Sequence, residues 1–245
     1  MENFENKVVL VTGGGSGIGK ATAAAFVASG AKVVITGRRK AVLEKTAQEL
    51  GSQVHFIAAD VCETGEPARI VEETIGKFGR LDVLVNNAGT GTMGPLSATS
   101  DTDIESTYRI NVFAPLAFVR EAIPHLATTK GAVVNISSVT ARGTLPAVVA
   151  YASSKAAGEH AVRLLAAELG PMGIRVNAVA PGFTDTDALA YVKSNEEMMG
   201  MIVAQTPMGR LGKPEDIASA VLMLAGDRAA WVTGQSVQAG GGYML

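Results

Sequence analysis

Tyr151 and Lys155 stand four residues apart in a stretch that reads as helix, so their side chains share one face. A phenol titrates near pH ~10 and is a poor acid or base at neutrality, but a neighbouring ammonium stabilises the phenolate. Ser138 lies upstream at the end of a predicted strand, where its hydroxyl could donate to the same substrate oxygen as the phenol. The three side-chain types together can polarise a carbonyl and pass one proton.

A second set near the amino terminus is built for anions. The segment Thr12-Gly-Gly-Gly-Ser-Gly-Ile-Gly19 turns a predicted strand into an alanine-rich helix. Backbone N–H groups converge there, side-chain-free positions permit close approach, and the helix dipole favours negative charge, which suits a pyrophosphate. Gly13, Ser16, Gly17, Ile18 and Gly19 are the candidate contacts. The spacing Gly13-x-x-x-Gly17-x-Gly19 is not G-x-G-x-x-G and points to a different subfamily. Gly14-x-x-x-x-Gly19-Lys20 matches most of a P-loop, but Ala21 stands where Mg²⁺ would need Ser or Thr, and Thr22 projects about 100° further round the helix.

The second predicted strand ends Thr36-Gly37-Arg38-Arg39, where a doubly wound dinucleotide site reads the adenosine ribose. An acidic residue there would accept from a 2′-hydroxyl; two guanidiniums after a glycine instead suit a 2′-phosphate. Arg38 and Arg39 therefore favour NADP(H) over NAD(H). His55, His125 and His160 are dispersed, and neither H-E-x-x-H nor G-x-S-x-G occurs, so no metal site is expected and a serine-hydrolase reading has little support.

Short β-branched runs must place these groups: Lys7–Thr12, Lys32–Thr36, Val54–Ala58, Leu81–Asn86, Ala132–Ser137, Ile174–Val179 and Gln235–Gln238. Helical stretches alternate with them near Gly17–Ser29, Arg39–Leu50, Pro67–Phe78, Asp101–His125, Tyr151–Leu169, Asp187–Val203 and Pro214–Ala225. Continuous Val/Ile/Leu strand cores require a parallel sheet covered on both faces. The expected fold is α/β: a single-domain, Rossmann-type, doubly wound parallel sheet of about seven strands flanked by helices. With no Pro/Gly/Ser linker or shift of composition, residues 1–245 are expected to form one domain.

The 245 residues are 47% hydrophobic and 18% charged, enough apolar surface for a sizeable core. Lys plus Arg number 21 against 23 Asp plus Glu, a net charge of −2 that lacks the basic field nucleic acid or anionic membrane usually requires. The partner is expected to be a small molecule. Cys62, the one cysteine, excludes an intrachain disulfide framework. Met1–Lys7 is polar, and no apolar run approaches the roughly 18 residues a membrane span needs, so a cytoplasmic protein is expected.

Taken in order, these residues resemble the short-chain dehydrogenase/reductase family over essentially the whole chain. T-G-x-x-x-G-x-G matches at Thr12–Gly19, Asp-Val at Asp60–Val61, N-N-A-G at Asn86–Gly89, and an active-site Asn at Asn111. Ser138, Tyr151-x-x-x-Lys155 and P-G-x-x-x-T at Pro181–Thr186 complete the set. The resemblance implies that Asp60 and Val61 meet adenine, that Asn87 and Ala88 lie along the adenosine side, and that Thr184 and Thr186 hold the carboxamide and phosphates. It also implies that Ser138 polarises the carbonyl, Tyr151 is the acid or base, Lys155 holds the nicotinamide ribose, and Asn111 holds a relay water. A homotetramer and a substrate lid over 183–208, carrying Met198, Met199 and Met201, follow from the same resemblance.

The activity so implied is reduction of ketones to secondary alcohols by an NADP(H)-dependent carbonyl reductase. The alternatives are a 3-oxoacyl-acyl-carrier-protein reductase and, from another class, a catalytically silent dinucleotide-binding sensor. Relatives that use acyl carriers tend to have basic residues near the openings of the fifth and sixth strands. Here those stretches read Leu126-Ala-Thr-Thr-Lys130 and Gly170-Pro-Met-Gly173. Thr184 also replaces the usual aliphatic residue of the P-G motif, and Gln238 precedes Ala239-Gly-Gly where many relatives carry Asp before the paired glycines.

Overall fold

A computed structural model describes residues 2–245; Met1, the first residue of the polar Met1–Lys7 stretch, lies outside the described residues. Seven parallel strands form one sheet: β1 (Val8–Thr12), β2 (Lys32–Gly37), β3 (Val54–Ala58), β4 (Val83–Asn86), β5 (Ala132–Ile136), β6 (Arg175–Pro181) and β7 (Ser236–Ala239). Their order in space is β3-β2-β1-β4-β5-β6-β7. Strand order reverses between β1 and β4, and a crevice outside the carboxyl ends of the strands at such a switch point is where doubly wound folds bind ligands. The helices are α1 (Gly17–Ala28), α2 (Lys40–Leu50), α3 (Glu66–Phe78), α4 (Asp101–Tyr108), α5 (Ala114–Thr129), α6 (Val149–Leu169), α7 (Ala190–Lys193), α8 (Glu196–Ala204) and α9 (Pro214–Ala225).

Alternation along each strand divides the core in two. Leu10, Val34, Leu84, Val133 and Val176 face one layer, where Ile70 of α3, Phe118 of α5 and Val162 of α6 cover them. Val9, Val11, Val33, Ile35, Val85 and Val134 face the other, under Phe26 of α1 and Ile217 and Val221 of α9. Phe4 closes that layer edge-on against Phe26, with ring centroids 4.8 Å apart.

Two expected helices are not single. Asp101–His125 is α4, one π turn at Arg109–Phe113, and α5, which continues to Thr129 through Pro124. Asp187–Val203 is a 3₁₀ turn at Asp187–Leu189 followed by α7 and α8. Asn195 causes the second break: its Oδ1 accepts from the Met198 N–H at 3.0 Å, capping a new helix instead of continuing the old one. No helix among the described residues is long and apolar enough to cross a membrane, and none of their His, Cys, Asp and Glu side chains form a cluster of three or more that could hold a metal.

Candidate active site

The glycine-rich turn leaves β1 at Thr12 and enters α1 at Gly17. Gly13 and Gly17 adopt φ of +67° and +51°, conformations that other residues rarely take. At Gly19 a Cβ would fall 2.3 Å from the Gly13 carbonyl oxygen, so the turn closes only with glycine there. Ser16, at the helix N-cap, makes no side-chain capping bond, which leaves the N–H groups of the first turn open to an anion. The turn is braced by Asn87, whose Nδ2 donates to the carbonyls of Thr12 (2.8 Å) and Gly13 (3.2 Å). The Thr12 hydroxyl in turn accepts from the N–H groups of Asn87 and Ala88, each at 3.0 Å.

The two arginines after β2 differ. Arg39 Nη2 donates to Ser16 Oγ at 3.2 Å, while Arg38 is exposed, lines the same cleft and makes no hydrogen bond or ion pair among the described residues. Asp60 Oδ1 accepts from the Cys62 N–H at 3.0 Å, and Asp60 and the buried Val61 form the neighbouring wall. Burial and the Asp60 carboxylate push the Cys62 thiol up to about 11, which keeps it protonated and unreactive.

At the far end, β5 delivers Ser138 and α6 delivers Tyr151 and Lys155. Ser138 Oγ accepts from the Thr140 N–H (3.2 Å) and the Thr140 hydroxyl (2.9 Å). Lys155 is buried; its Nζ donates to the Ile136 carbonyl at 2.8 Å and lies 5.6 Å from the centre of the Tyr151 ring. Burial brings the ammonium down to about 8. The Tyr151 phenol is raised by its own burial and lowered by a hydrogen bond with Ser138, with the upward direction prevailing. The lowering of the phenol expected from Lys155 does not appear: removal from water raises it, and the opposing effect comes from Ser138.

Asn111 occupies the π turn between α4 and α5, a distortion common at functional sites. Its Nδ2 donates to the Thr90 carbonyl (2.7 Å) and Ser154 Oγ (3.0 Å), and its Oδ1 accepts from the Thr90 N–H (3.2 Å). The side chain thus ties the loop after β4 to α6. Behind it lies a polar cavity of about 20 Å³, bounded by Asn86, Asn111, Asn135, Lys155 and Glu159.

A cleft of about 710 Å³ joins these groups. It runs from Arg38, Arg39, Asp60 and Val61 past Gly13, Gly15 to Gly19, Asn87 and Ala88 to Ser138, Tyr151 and Lys155, and on to Thr184 and Thr186. Thr184 is buried with its hydroxyl turned back onto the Gly182 carbonyl (3.0 Å). The Thr186 methyl would lie 3.2 Å from a Cβ on Gly17, so the loop after β6 packs on the glycine turn. The open N–H groups, the close approach at glycine and the free guanidinium fit a nicotinamide dinucleotide.

Sequence reading did not single out Thr90, Gly91, Met93, Thr140, Leu145 or Val148, all of which line the cleft. Gly91 carries the clearest signal: a Cβ there would fall 2.4 Å from Cδ2 of Tyr151. Met198, Met199 and Met201, expected over the substrate, sit on α8 and do not line the cleft, whereas Met93, from the loop after β4, does.

A family described as Enoyl-(Acyl carrier protein) reductase matches residues 13–244. Among solved structures, a short-chain type dehydrogenase/reductase from Mycobacterium ulcerans superposes with a TM-score of 0.95 at 35% identity, covering 99% of this chain and 91% of that one. A 7alpha-hydroxysteroid dehydrogenase complexed with NADH and 7-oxo glycochenodeoxycholic acid superposes with a TM-score of 0.94 at 36% identity, covering 98% and 95%. The 3-oxoacyl-acyl-carrier-protein reductase of Thermotoga maritima is 36% identical, with 99% of each chain covered.

Proposed function

The chain belongs to the short-chain dehydrogenase/reductase family of oxidoreductases, and we propose that it is an NADP(H)-dependent carbonyl reductase acting on ketones and secondary alcohols. The observation that carries the reading is the meeting of Ser138, Tyr151 and Lys155 in one cleft with the glycine turn and Arg38.

When bound, the dinucleotide supplies the hydride. Tyr151 gives its phenolic proton to the oxygen that becomes an alkoxide during reduction, and takes it back in oxidation. Ser138 donates to the same oxygen and stabilises the charge that develops there. Lys155 holds the nicotinamide ribose, and its ammonium compensates the phenolate once the proton has left. Asn111 and Lys155 bound a cavity of about 20 Å³, room for the one water that would reload the phenol. The glycine turn takes the pyrophosphate, Arg38 a 2′-phosphate, Asp60 and Val61 the adenine, and Thr184 and Thr186 the nicotinamide side. Residues 183–208 close over the substrate; Phe183, Thr184 and Thr186 to Leu189 line the cleft. The same reading takes residues 1–245 as one domain and the enzyme as a cytoplasmic homotetramer.

The test is consumption of NADPH and, separately, NADH with an aryl ketone, a diketone, a β-ketoester and a 3-oxoacyl thioester. Turnover of simple ketones with NADPH is the expected result. The relative named for 3-oxoacyl-acyl-carrier-protein supports the second reading, which selective use of the thioester would favour. Equal or better turnover with NADH would overturn the cofactor assignment; tight NADPH binding with no turnover of any substrate would move the reading to a silent sensor.

A further inference from the structure

We propose that Thr140 is a positioning residue that fixes Ser138 as a hydrogen-bond donor toward the reacting oxygen; this rests on the reading of Ser138 as the carbonyl-polarising group. A serine hydroxyl has one proton and two lone pairs, and rotates to suit its surroundings. In this chain Thr140 takes both lone pairs: its N–H and its hydroxyl donate to Ser138 Oγ at 3.2 and 2.9 Å. The remaining Ser138 proton is left for the cleft, which Ser138 and Tyr151 both line.

The local fold makes this arrangement. Ser138 caps the 3₁₀ turn Val139–Ala141 that follows β5, which brings the Thr140 N–H back onto the serine oxygen. Thr140 is 8% exposed and its hydroxyl makes no other hydrogen bond among the described residues, so the bond to Ser138 is where its proton is satisfied. Donation into a hydroxyl polarises it and strengthens the bond it donates onward. The N–H alone would leave one lone pair open and the serine free to turn. Its hydroxyl is spent on Ser138, so Thr140 acts through Ser138.

The test is a double-mutant cycle with Thr140→Val, which keeps the shape and removes the hydroxyl, and Ser138→Ala, measured with NADPH and the best ketone of the panel. Thr140→Val is expected to lower kcat about tenfold with cofactor affinity unchanged, Thr140→Ser to restore it, and Thr140→Val to have no further effect in the Ser138→Ala background. Ultraviolet difference titration of the cofactor-free protein, referenced to Tyr151→Phe, should place the Tyr151 phenol at higher pH in Thr140→Val, because the serine no longer faces it as a fixed donor. An unchanged kcat, or an equal loss in both backgrounds, overturns the role of Thr140. A Ser138→Ala enzyme as active as the parent overturns the reading of Ser138 itself, a distinguishable failure. If Thr140→Val lowers thermal stability but leaves kcat and the titration untouched, Thr140 is a packing residue and the inference fails.

Discussion

Lys155 is buried and Tyr151 partly so, and removal from water moves them in opposite directions: the phenol holds its proton more tightly and the ammonium less so. On the proposed function, Tyr151→Phe removes the hydroxyl that would exchange a proton with the substrate oxygen and spares Lys155 and the glycine turn, which would hold the cofactor. Turnover is expected to fall by about 10³-fold or more, with NADPH affinity within about twofold of the parent, as read by steady-state kinetics and fluorescence titration. Lys155 makes a separate prediction about stability. Its folded value of about 8 lies below the ordinary 10.5, so between those limits the unfolded chain binds more protons and stability rises with pH. Below about 8 the lysine is charged in both states and its contribution is lowest. The raised Tyr151 phenol opposes this only above its ordinary value of 10.0. The urea midpoint of the cofactor-free protein minus that of Lys155→Met should therefore increase from pH ~7 to pH ~10; a flat difference would mean that the ammonium is not desolvated.

The loop after β4 and the start of α6 are fitted to each other at Gly91, where the Tyr151 ring occupies the space of a side chain. The Gly94 N–H donates to the Ala147 carbonyl at 2.8 Å, and this second tie keeps the loop from retreating. Gly91→Ala should therefore displace the phenol, lowering kcat about 100-fold while cofactor binding and thermal stability change little. A variant with parental kcat would show that the loop yields instead. The same pair of elements marks how far the sequence could be read. The shared face of Tyr151 and Lys155 was legible from helix periodicity, their roles only from the ordered set of motifs around them, and the sheet because its strand cores are unbroken Val/Ile/Leu. The π turn at Asn111 was not, since one extra residue in a helix leaves the apolar pattern nearly unchanged. Nor was the contact of Gly91 with Tyr151, which joins positions 60 residues apart in sequence. The cap at Asn195 carried a local signal, an Asn before Glu-Glu, that the continuing apolar pattern outweighed.

At the scale of the molecule, the proposed cofactor preference predicts which dinucleotide stabilises the fold more. The net charge of −2 offers no general attraction to an anion, so any preference for a 2′-phosphate has to come from local cations. Arg39 is committed to Ser16, whereas Arg38 makes no hydrogen bond or ion pair among the described residues and lines the cleft. Binding to the folded state alone stabilises by RT ln(1 + [L]/Kd), about 2.7 kcal/mol at a hundredfold excess over Kd. For a chain of this length that raises Tm by roughly 5–10 °C. NADPH should accordingly raise Tm several degrees more than NADH at equal concentration. Arg38→Ala should reduce the NADPH shift to the size of the NADH shift and leave the latter as it was, since NADH presents no phosphate there. Arg39→Ala should weaken both, because its guanidinium braces Ser16 in the glycine turn, the proposed pyrophosphate site common to both cofactors. Equal shifts with both cofactors in the parent, or an Arg38→Ala protein that still prefers NADPH, would remove Arg38 from phosphate recognition and with it the case for NADP(H).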